Sequence, residues 1–176
     1  MKLFKRQFGA KFTEALSQCP TLVKDLEQMR QAGVKIRRIK GHCQAYAELK
    51  RMTVYISKNC SLSYALVSLA HEKTHLLVSP TPPPLPGITN RHSFINRGMK
   101  SELNAICHEV QVVAELLNAG YKVNKHSLKW HRLFKKGGRA AVKAELENAV
   151  TSNTGEKYRQ YYGAWFDDVS DDEASS

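Results

Sequence analysis

The segment over 62–78 constrains the fold of this chain most, because it combines strong helical periodicity with two histidines. Its apolar residues recur at helical spacing, and Ser61 is placed to act as its N-cap. We therefore predict one continuous helix over 62–78. His71 and His75 lie four residues apart on it, so their imidazoles project from the same face. The residues before them are apolar, which predicts a buried helix in which both rings need polar partners.

These histidines form the pattern His-Glu-x-x-His, here His71-Glu72-Lys73-Thr74-His75. Two imidazoles one helical turn apart can reach the same tetrahedral zinc ion. Glu72 is placed to accept a proton from water rather than to bind the metal. We therefore predict one Zn²⁺ per chain, with His71 and His75 as ligands and Glu72 as the catalytic base. The alternative is a pair of core histidines satisfied by hydrogen bonds, with Glu72 in a salt bridge.

A zinc site of this kind needs a third protein ligand and leaves one position for water. Glu102 and Glu109 lie seven residues apart on a downstream helical segment, hence on one face, and the small Ala105 would allow close helix packing. We predict Glu102 as the third ligand, with Glu109 as the alternative and His108 as the next candidate. The glutamate that does not bind metal is expected to orient a ligand histidine. The remaining histidines are expected to be surface or packing residues: His42, His92, His126 and His131.

The rest of the chain divides into helical and strand segments. Helical spacing predicts helices over 3–17 and from Pro20 to near Gly33, and a period of two then indicates three short strands. Because few residues separate these strands, we expect a three-stranded meander of hairpins. Further helices are predicted over 99–118 and around 125–135, 138–150 and 155–166. This order predicts an α+β fold in which the meander packs on a helical bundle, with the zinc site between two helices.

Five of the six prolines fall between the motif helix and the next one, over 79–87. Prolines at this density cannot continue a helix, so we predict a stiff, extended connection. The length suits one domain over 1–168, followed by an acidic disordered tail over 169–176. The four cysteines form no closely spaced pair, and we expect them to be buried free thiols, with disulfides as the alternative.

The net charge of +11 favours contact with polyanions such as nucleic acid. Nucleic acid is the less favoured partner, because the basic residues are dispersed and lack interleaved aromatic residues. No stretch reaches the roughly 18 apolar residues of a membrane span. The N-terminus has no secretory signal pattern, so we expect a cytoplasmic location or export by a route that needs no signal peptide.

The run from Ser68 to Leu77, followed by Glu102-x-x-Ala105, resembles the compact bacterial zinc metallopeptidases of gluzincin type, including the ImmA/IrrE-like peptidases. It resembles more closely the metallopeptidase domains found as bacterial toxins or secreted effectors. Those share a long second helix, here through 115–120, and a tyrosine-rich terminal segment, here 158–165. The resemblance covers residues 34–120 and implies a minimal zincin-like fold. Two residues depart from it, namely Thr74 in place of a usual glycine and Lys73, a charge expected near the site.

The resemblance implies hydrolysis of a peptide bond, in which Glu72 takes a proton from water and passes it to the leaving amine. The developing oxyanion then needs a further donor, for which Tyr158, Tyr161 and Tyr162 are the candidates. The strand that carries Thr53 and Tyr55 is expected to bind an extended substrate by backbone pairing.

The implied partners are a protein or peptide substrate and an immunity or inhibitor protein. Two other functions remain open at this point. One is an amidase or peptidase of the same chemistry that acts on peptidoglycan. The other is a basic nucleic-acid-binding protein in which the His-Glu-x-x-His pattern is not catalytic.

Overall fold

The computed structural model describes residues 8–42, 44–84, 89–151 and 154–174, the last five of them as backbone only. Two helices open this part of the chain, α1 (Ala10–Ser17) and α2 (Pro20–Gln31). Pro20 has no backbone N–H, so it leaves no donor unsatisfied in the first turn of α2. Gly33 follows the end of this helix with a positive φ of 73°. The second predicted helix is confirmed. The first is confirmed only from Ala10, because Gly9 has a positive φ of 88° and interrupts the predicted helix over 3–17, of which residues 3–7 lie outside the described residues.

Three strands form one mixed sheet: β1 (Lys35–Ile39), β2 (Ala45–Glu48) and β3 (Thr53–Ser57). Their order is β1-β3-β2, with β1 parallel to β3 and β2 antiparallel to it. The three predicted strands are confirmed, but the predicted meander is wrong because β1 and β2 are not neighbours. β3 is buried on both faces through Val54, Ile56 and its terminal hydroxyl residues, so it takes the centre. The lysine and arginines of β1 suit an edge strand.

The motif helix α3 (Leu62–Lys73) continues directly into a π-helical turn, Thr74–Val78. The Ser61 side chain caps its start by accepting a backbone N–H of the first turn. The predicted helix over 62–78 is thus confirmed in extent. The periodicity of the sequence does not show that its last turn is π-helical rather than α-helical. Single π-turns are frequent at functional sites, and His75 lies in this one.

The long helix α4 (Arg91–Asn118) begins eight residues before the predicted start at residue 99. The Asn90 side chain caps it by accepting the backbone N–H of Ser93 at 3.2 Å. This helix packs beside α3 and carries both glutamates of the predicted site. After a short connection follows α5 (Lys125–Leu146).

The helix α5 consists of two arms, because Gly137 and Gly138 leave the helical conformation and Gly138 has a φ of 60°. Lys129 Nζ of the first arm lies 2.5 Å from Glu145 Oε1 of the second, so the arms fold back on each other. They correspond to the predicted helices around 125–135 and 138–150. The last helix, α6 (Tyr158–Ala174), continues into the segment where a disordered acidic tail is expected from residue 169.

The core consists of two hydrophobic clusters. The first joins α1, α2, the sheet, α3 and the C-terminal third of α4, and the second joins the rest of α4 to α5 and α6. The α+β class with a small sheet on a helical bundle is therefore confirmed. Within the described ranges, no helix has the length and apolar character to cross a membrane. Cys19 and Cys107 are free thiols, whereas Cys60 is in a disulfide, so the expectation of four free thiols is wrong.

Candidate metal centre

His71 and His75 turn their Nε2 atoms toward each other at a separation of 3.0 Å. Each of these nitrogens also lies 3.5 Å from an oxygen of the Glu102 carboxylate, His71 from Oε2 and His75 from Oε1. The three residues offer ligand atoms that all lie within 4.8 Å of one another. Two imidazole nitrogens and a carboxylate are a donor set that suits zinc. This cluster could therefore hold a metal ion, and it favours Glu102 over Glu109 as the third ligand.

The protonation of the His71 ring follows from its second contact. Its Nδ1 lies 2.8 Å from Glu109 Oε2. An ionised carboxylate can only accept a hydrogen bond, so Nδ1 carries a proton and donates it. In the neutral ring, Nε2 then has a free lone pair that faces the cluster. Glu109 thus orients a histidine, the role predicted for the glutamate that is not the third ligand.

The protonation of the His75 ring is fixed in the same way by a serine. His75 Nδ1 lies 2.8 Å from Ser101 Oγ, and the Ser101 hydroxyl donates its only proton to the backbone carbonyl of Ser79. Ser101 must therefore accept a hydrogen bond from His75 Nδ1. The Nε2 atom of His75 is again left with a lone pair toward Glu102. Sequence reasoning missed Ser101, since nothing in its spacing marks it as different from other helical serines.

Glu102 also has a hydrogen-bond partner on α6. The Tyr162 hydroxyl of α6 donates a hydrogen bond of 2.7 Å to Glu102 Oε1. Burial would raise the pKa of this carboxyl, but His75, His71 and the Tyr162 hydrogen bond outweigh it and lower the pKa to about 2. Glu102 is therefore an anion at neutral pH, as a metal ligand must be.

Glu72 is buried beside the cluster, and its carboxylate is not among the three groups that converge. Burial raises its pKa to about 7, helped by the negative charges of Glu102 and Glu109 and opposed by His71 and the backbone of Ala47. A carboxylate with a pKa near neutrality is suited to take up a proton and to release it again. This environment fits the predicted role of Glu72 as a base.

The two histidines differ in their affinity for protons. Burial alone would lower the pKa of His71, but its hydrogen bonds to Glu102 and Glu109 raise it well above the usual value. Burial lowers the pKa of His75 to about 4, and the attraction of Glu102 offsets this only in part. In the absence of a metal, one proton is therefore held between the two Nε2 atoms on the His71 side. A bound cation would take the place of that proton.

A cavity of about 420 Å³ opens above the cluster. Strand β2 forms one wall, and the other walls include Tyr158, Tyr161, Tyr162 and Trp165 of α6. Of the three predicted tyrosines, Tyr162 is already bonded to Glu102, so Tyr158 and Tyr161 remain as the candidates for an oxyanion donor; Tyr46 and Tyr64 also line the cavity. All three predicted tyrosines are thus brought to the site.

The prediction for Thr53 and Tyr55 is wrong. Both belong to β3, whose backbone is paired with β1 on one side and β2 on the other, so it has no free edge for a substrate. The edge strand at the cavity is β2. Gln44 pairs with Ser57 through a backbone hydrogen bond of 2.9 Å. Backbone groups alternate along an antiparallel ladder, so those of Ala45 and Ala47 point away from β3 toward the free edge.

Two further histidines differ from the simple expectation. His108 is not a ligand candidate, because its Nε2 lies 2.6 Å from Asp25 Oδ2 on the far side of α4. His126, expected at the surface or in packing, lines the cavity. The indole N–H of Trp130 donates to His126 Nε2 at 3.0 Å, which leaves Nδ1 as the protonated nitrogen of a neutral ring.

The two departures from the resembled motif do not lie at the site. Lys73 points away from it and pairs with Asp25 at 2.9 Å. Thr74 is buried, and its hydroxyl donates to the Ala70 carbonyl at 3.1 Å. The expectation of a lysine charge near the site is therefore wrong, because that position faces the opposite side of the helix.

No protein-family model, curated protein or solved structure matches this chain. The resemblance to gluzincin-type peptidases therefore remains a prediction that rests on the residues of the motif.

Proposed function

We propose that this protein is a zinc-dependent metallopeptidase that hydrolyses a peptide bond in a protein substrate. The convergence of His71 Nε2, His75 Nε2 and the Glu102 carboxylate beside the buried, non-converging Glu72 carries the proposal. A structural zinc site has four protein ligands and no use for an adjacent base, whereas a catalytic site has three and needs one. The donor set fits zinc, because Glu109 and Ser101 hold a proton on each Nδ1, so that Nε2 is the nitrogen each ring offers to a cation, and because Glu102 is ionised.

When bound, zinc supplies a Lewis acid that polarises the scissile carbonyl and lowers the pKa of water. Glu72 takes the proton of the attacking water and transfers it to the leaving amine, a role for which its pKa of about 7 suits it. Glu109 and Ser101 hold the two imidazoles in the tautomer protonated on Nδ1, so that Nε2 faces the cluster. Of the predicted tyrosines, Tyr158 and Tyr161 are the candidate hydroxyl donors to the developing oxyanion.

The free edge of β2 gives the substrate a place to bind in an extended conformation. The outward backbone groups of Ala45 and the outward carbonyl of Ala47 lie along the cavity and can pair with a peptide main chain, whereas the Ala47 N–H faces the Glu72 carboxylate. A substrate held in this way runs past Glu72, whose carboxylate interacts with the backbone of Ala47. Backbone pairing accepts many sequences, so the side-chain preference comes from the aromatic wall on α6.

Metal analysis and peptide cleavage together test the proposal. The purified protein is expected to contain one zinc per chain, and His71→Ala/His75→Ala to contain none. The matched control is His131→Ala, a histidine of α5 that does not line the cavity. Glu72→Gln is expected to keep the zinc but to lose cleavage of a peptide library followed by mass spectrometry. Cleavage by Glu72→Gln at the wild-type rate would refute the mechanism, and wild-type protein without zinc after reconstitution would refute the function.

A further inference from the structure

A buried charged cluster lies behind the motif helix, on the side away from the cavity. Asp25 of α2 is 2% exposed, and its two carboxylate oxygens have different partners. Oδ1 accepts from Lys73 Nζ at 2.9 Å, and Oδ2 accepts from His108 Nε2 at 2.6 Å. Burial would raise the pKa of Asp25, but the hydrogen bonds and charges of His108 and Lys73 outweigh it and lower the pKa, so the carboxyl is ionised. None of the three residues lines the cavity.

A buried ion pair of this kind is a poor way to gain stability. Removing charges from water is costly, and apolar residues of similar volume often stabilise a protein as well or better. A hydrogen-bonded charge does add geometric specificity, because it holds its partners at a defined distance and angle. The position of the cluster in the fold therefore matters more than its energy.

The two partners of Asp25 belong to the two helices that carry the candidate metal centre. Lys73 lies on α3 between His71 and His75, and His108 directly precedes Glu109 on α4. One carboxylate of α2 thus holds both helices, each through a separate oxygen. Because the contact points are next to the site residues, a shift of Asp25 changes the position of the histidines relative to Glu109.

We infer that Asp25 is a positioning residue for the candidate metal centre: it sets the placement of α3 against α4 through Lys73 and His108. The inference rests on the proposed function for its effect on metal binding, but the geometric claim itself does not need the metal. Ligand groups must be held within about 0.5 Å of the productive geometry, and the residues that hold them are as important as the ligands.

The chain offers a matched control for this inference. Glu115 of α4 accepts hydrogen bonds from the Thr21 backbone N–H at 3.2 Å and from the Thr21 hydroxyl at 2.6 Å. It therefore also ties α2 to α4 through a part-buried carboxylate, but the tie involves no residue of α3. Glu115→Gln should lower stability without changing the placement of the histidines.

The experiment compares Asp25→Asn, Asp25→Asn/Lys73→Met and Glu115→Gln with the wild type. The double variant removes both charges, so it keeps the test valid if Asp25→Asn alone leaves Lys73 unpaired and fails to fold. Circular dichroism selects the folded variants. Their zinc affinity is measured by competition with a chelator, and the visible spectrum of the Co²⁺-substituted proteins reports the ligand geometry.

For the Asp25 variants we expect a loss of zinc affinity of about tenfold or more and a changed Co²⁺ spectrum. Glu115→Gln is expected to match the wild type in both. Folded Asp25 variants with wild-type affinity and spectrum would overturn the inference while leaving the proposed function intact.

A wild-type protein that binds no metal would instead overturn the proposed function. The inference is then decided by the ring ¹⁵N signals of His71 and His75 in the metal-free protein. Shifted signals in the Asp25 variants but not in Glu115→Gln support the positioning role, and unchanged signals refute it.

Discussion

Tyr162 donates a hydrogen bond of 2.7 Å to Glu102, although 60 residues separate the two in sequence. The Tyr162 ring lies against Gly98 of the same helix as Glu102, where a Cβ on the glycine would be 2.5 Å from ring carbon Cδ1. The absence of a side chain at Gly98 is thus what allows the ring to reach the carboxylate. This contact fixes the orientation of Glu102 from outside the histidine pair.

The first prediction concerns this close approach. Gly98→Ala should displace the Tyr162 ring, because a contact of 2.5 Å with a packed aromatic ring cannot be relieved without movement. We expect zinc affinity to fall by about tenfold as Glu102 loses its orienting partner. Chelator competition measures the change, and Tyr162→Phe should reproduce it.

Gly163→Ala on α6 is the control for that substitution. A Cβ there would meet the Nη2 atom of Arg91 at 2.8 Å, which is the end of a flexible side chain. Its zinc affinity should equal that of the wild type. If Gly98→Ala binds zinc as tightly as Gly163→Ala does, the Tyr162 contact has no part in holding Glu102.

The second prediction concerns stability against pH. The pKa of Glu72 is raised from 4.5 to about 7 in the folded protein, so the folded state holds a proton that the unfolded state releases between these values. The free energy of unfolding of the metal-free protein should therefore fall as the pH rises from about 4.5 to 7. Glu72→Gln removes this dependence. It should be more stable than the wild type by about 3 kcal/mol above pH 7 and equally stable below pH 4.

Urea unfolding of both proteins in the presence of a chelator, at pH 4 and pH 8, measures this difference. Equal stability at pH 8 would mean that Glu72 is not buried as an unfavourable charge. Glu48→Gln is a suitable control, because that carboxylate lies at the rim of the same cavity and is partly exposed.

The third prediction separates the roles of the two glutamates on α4. Glu102→Ala should abolish measurable zinc binding, because it removes one of the three groups that converge. Glu109→Ala should keep the site but weaken it by about 10- to 100-fold, since it removes only the acceptor for His71 Nδ1. Isothermal titration with zinc distinguishes them. The reverse order of affinities would make Glu109 the ligand.

The fourth prediction concerns the oxyanion donor. If Tyr158 or Tyr161 donates to the developing charge, its replacement by phenylalanine should lower kcat by about 100-fold and leave KM nearly unchanged. Tyr121→Phe, in the first hydrophobic cluster and away from the cavity, should retain full activity. Unchanged kcat in both variants would direct attention to His126, whose Nδ1–H is another donor in the cavity wall.

Short-range pattern predicts most of the helices, the three strands and the histidine pair, because helical and strand periods are visible in the sequence itself. It does not predict how the elements meet. The central place of β3, the cavity position of His126 and the pairing of Lys73 with Asp25 depend on contacts between distant segments. Glu102 can be predicted from the sequence because a zinc site requires a third ligand. Ser101 cannot, because it acts through a hydroxyl group that no spacing rule marks.

The candidate metal centre lies where the two hydrophobic clusters meet, and its parts are made at different times during synthesis. The histidine pair belongs to the helix that packs in the first cluster, while Tyr162 comes from α6 at the other end of the chain and packs in the second. A nascent chain on the ribosome exposes His71 and His75 long before Tyr162 is translated. The complete site therefore exists only after α6 has docked, so a growing chain, or one truncated before α6, presents the motif without the oriented Glu102 that completes it.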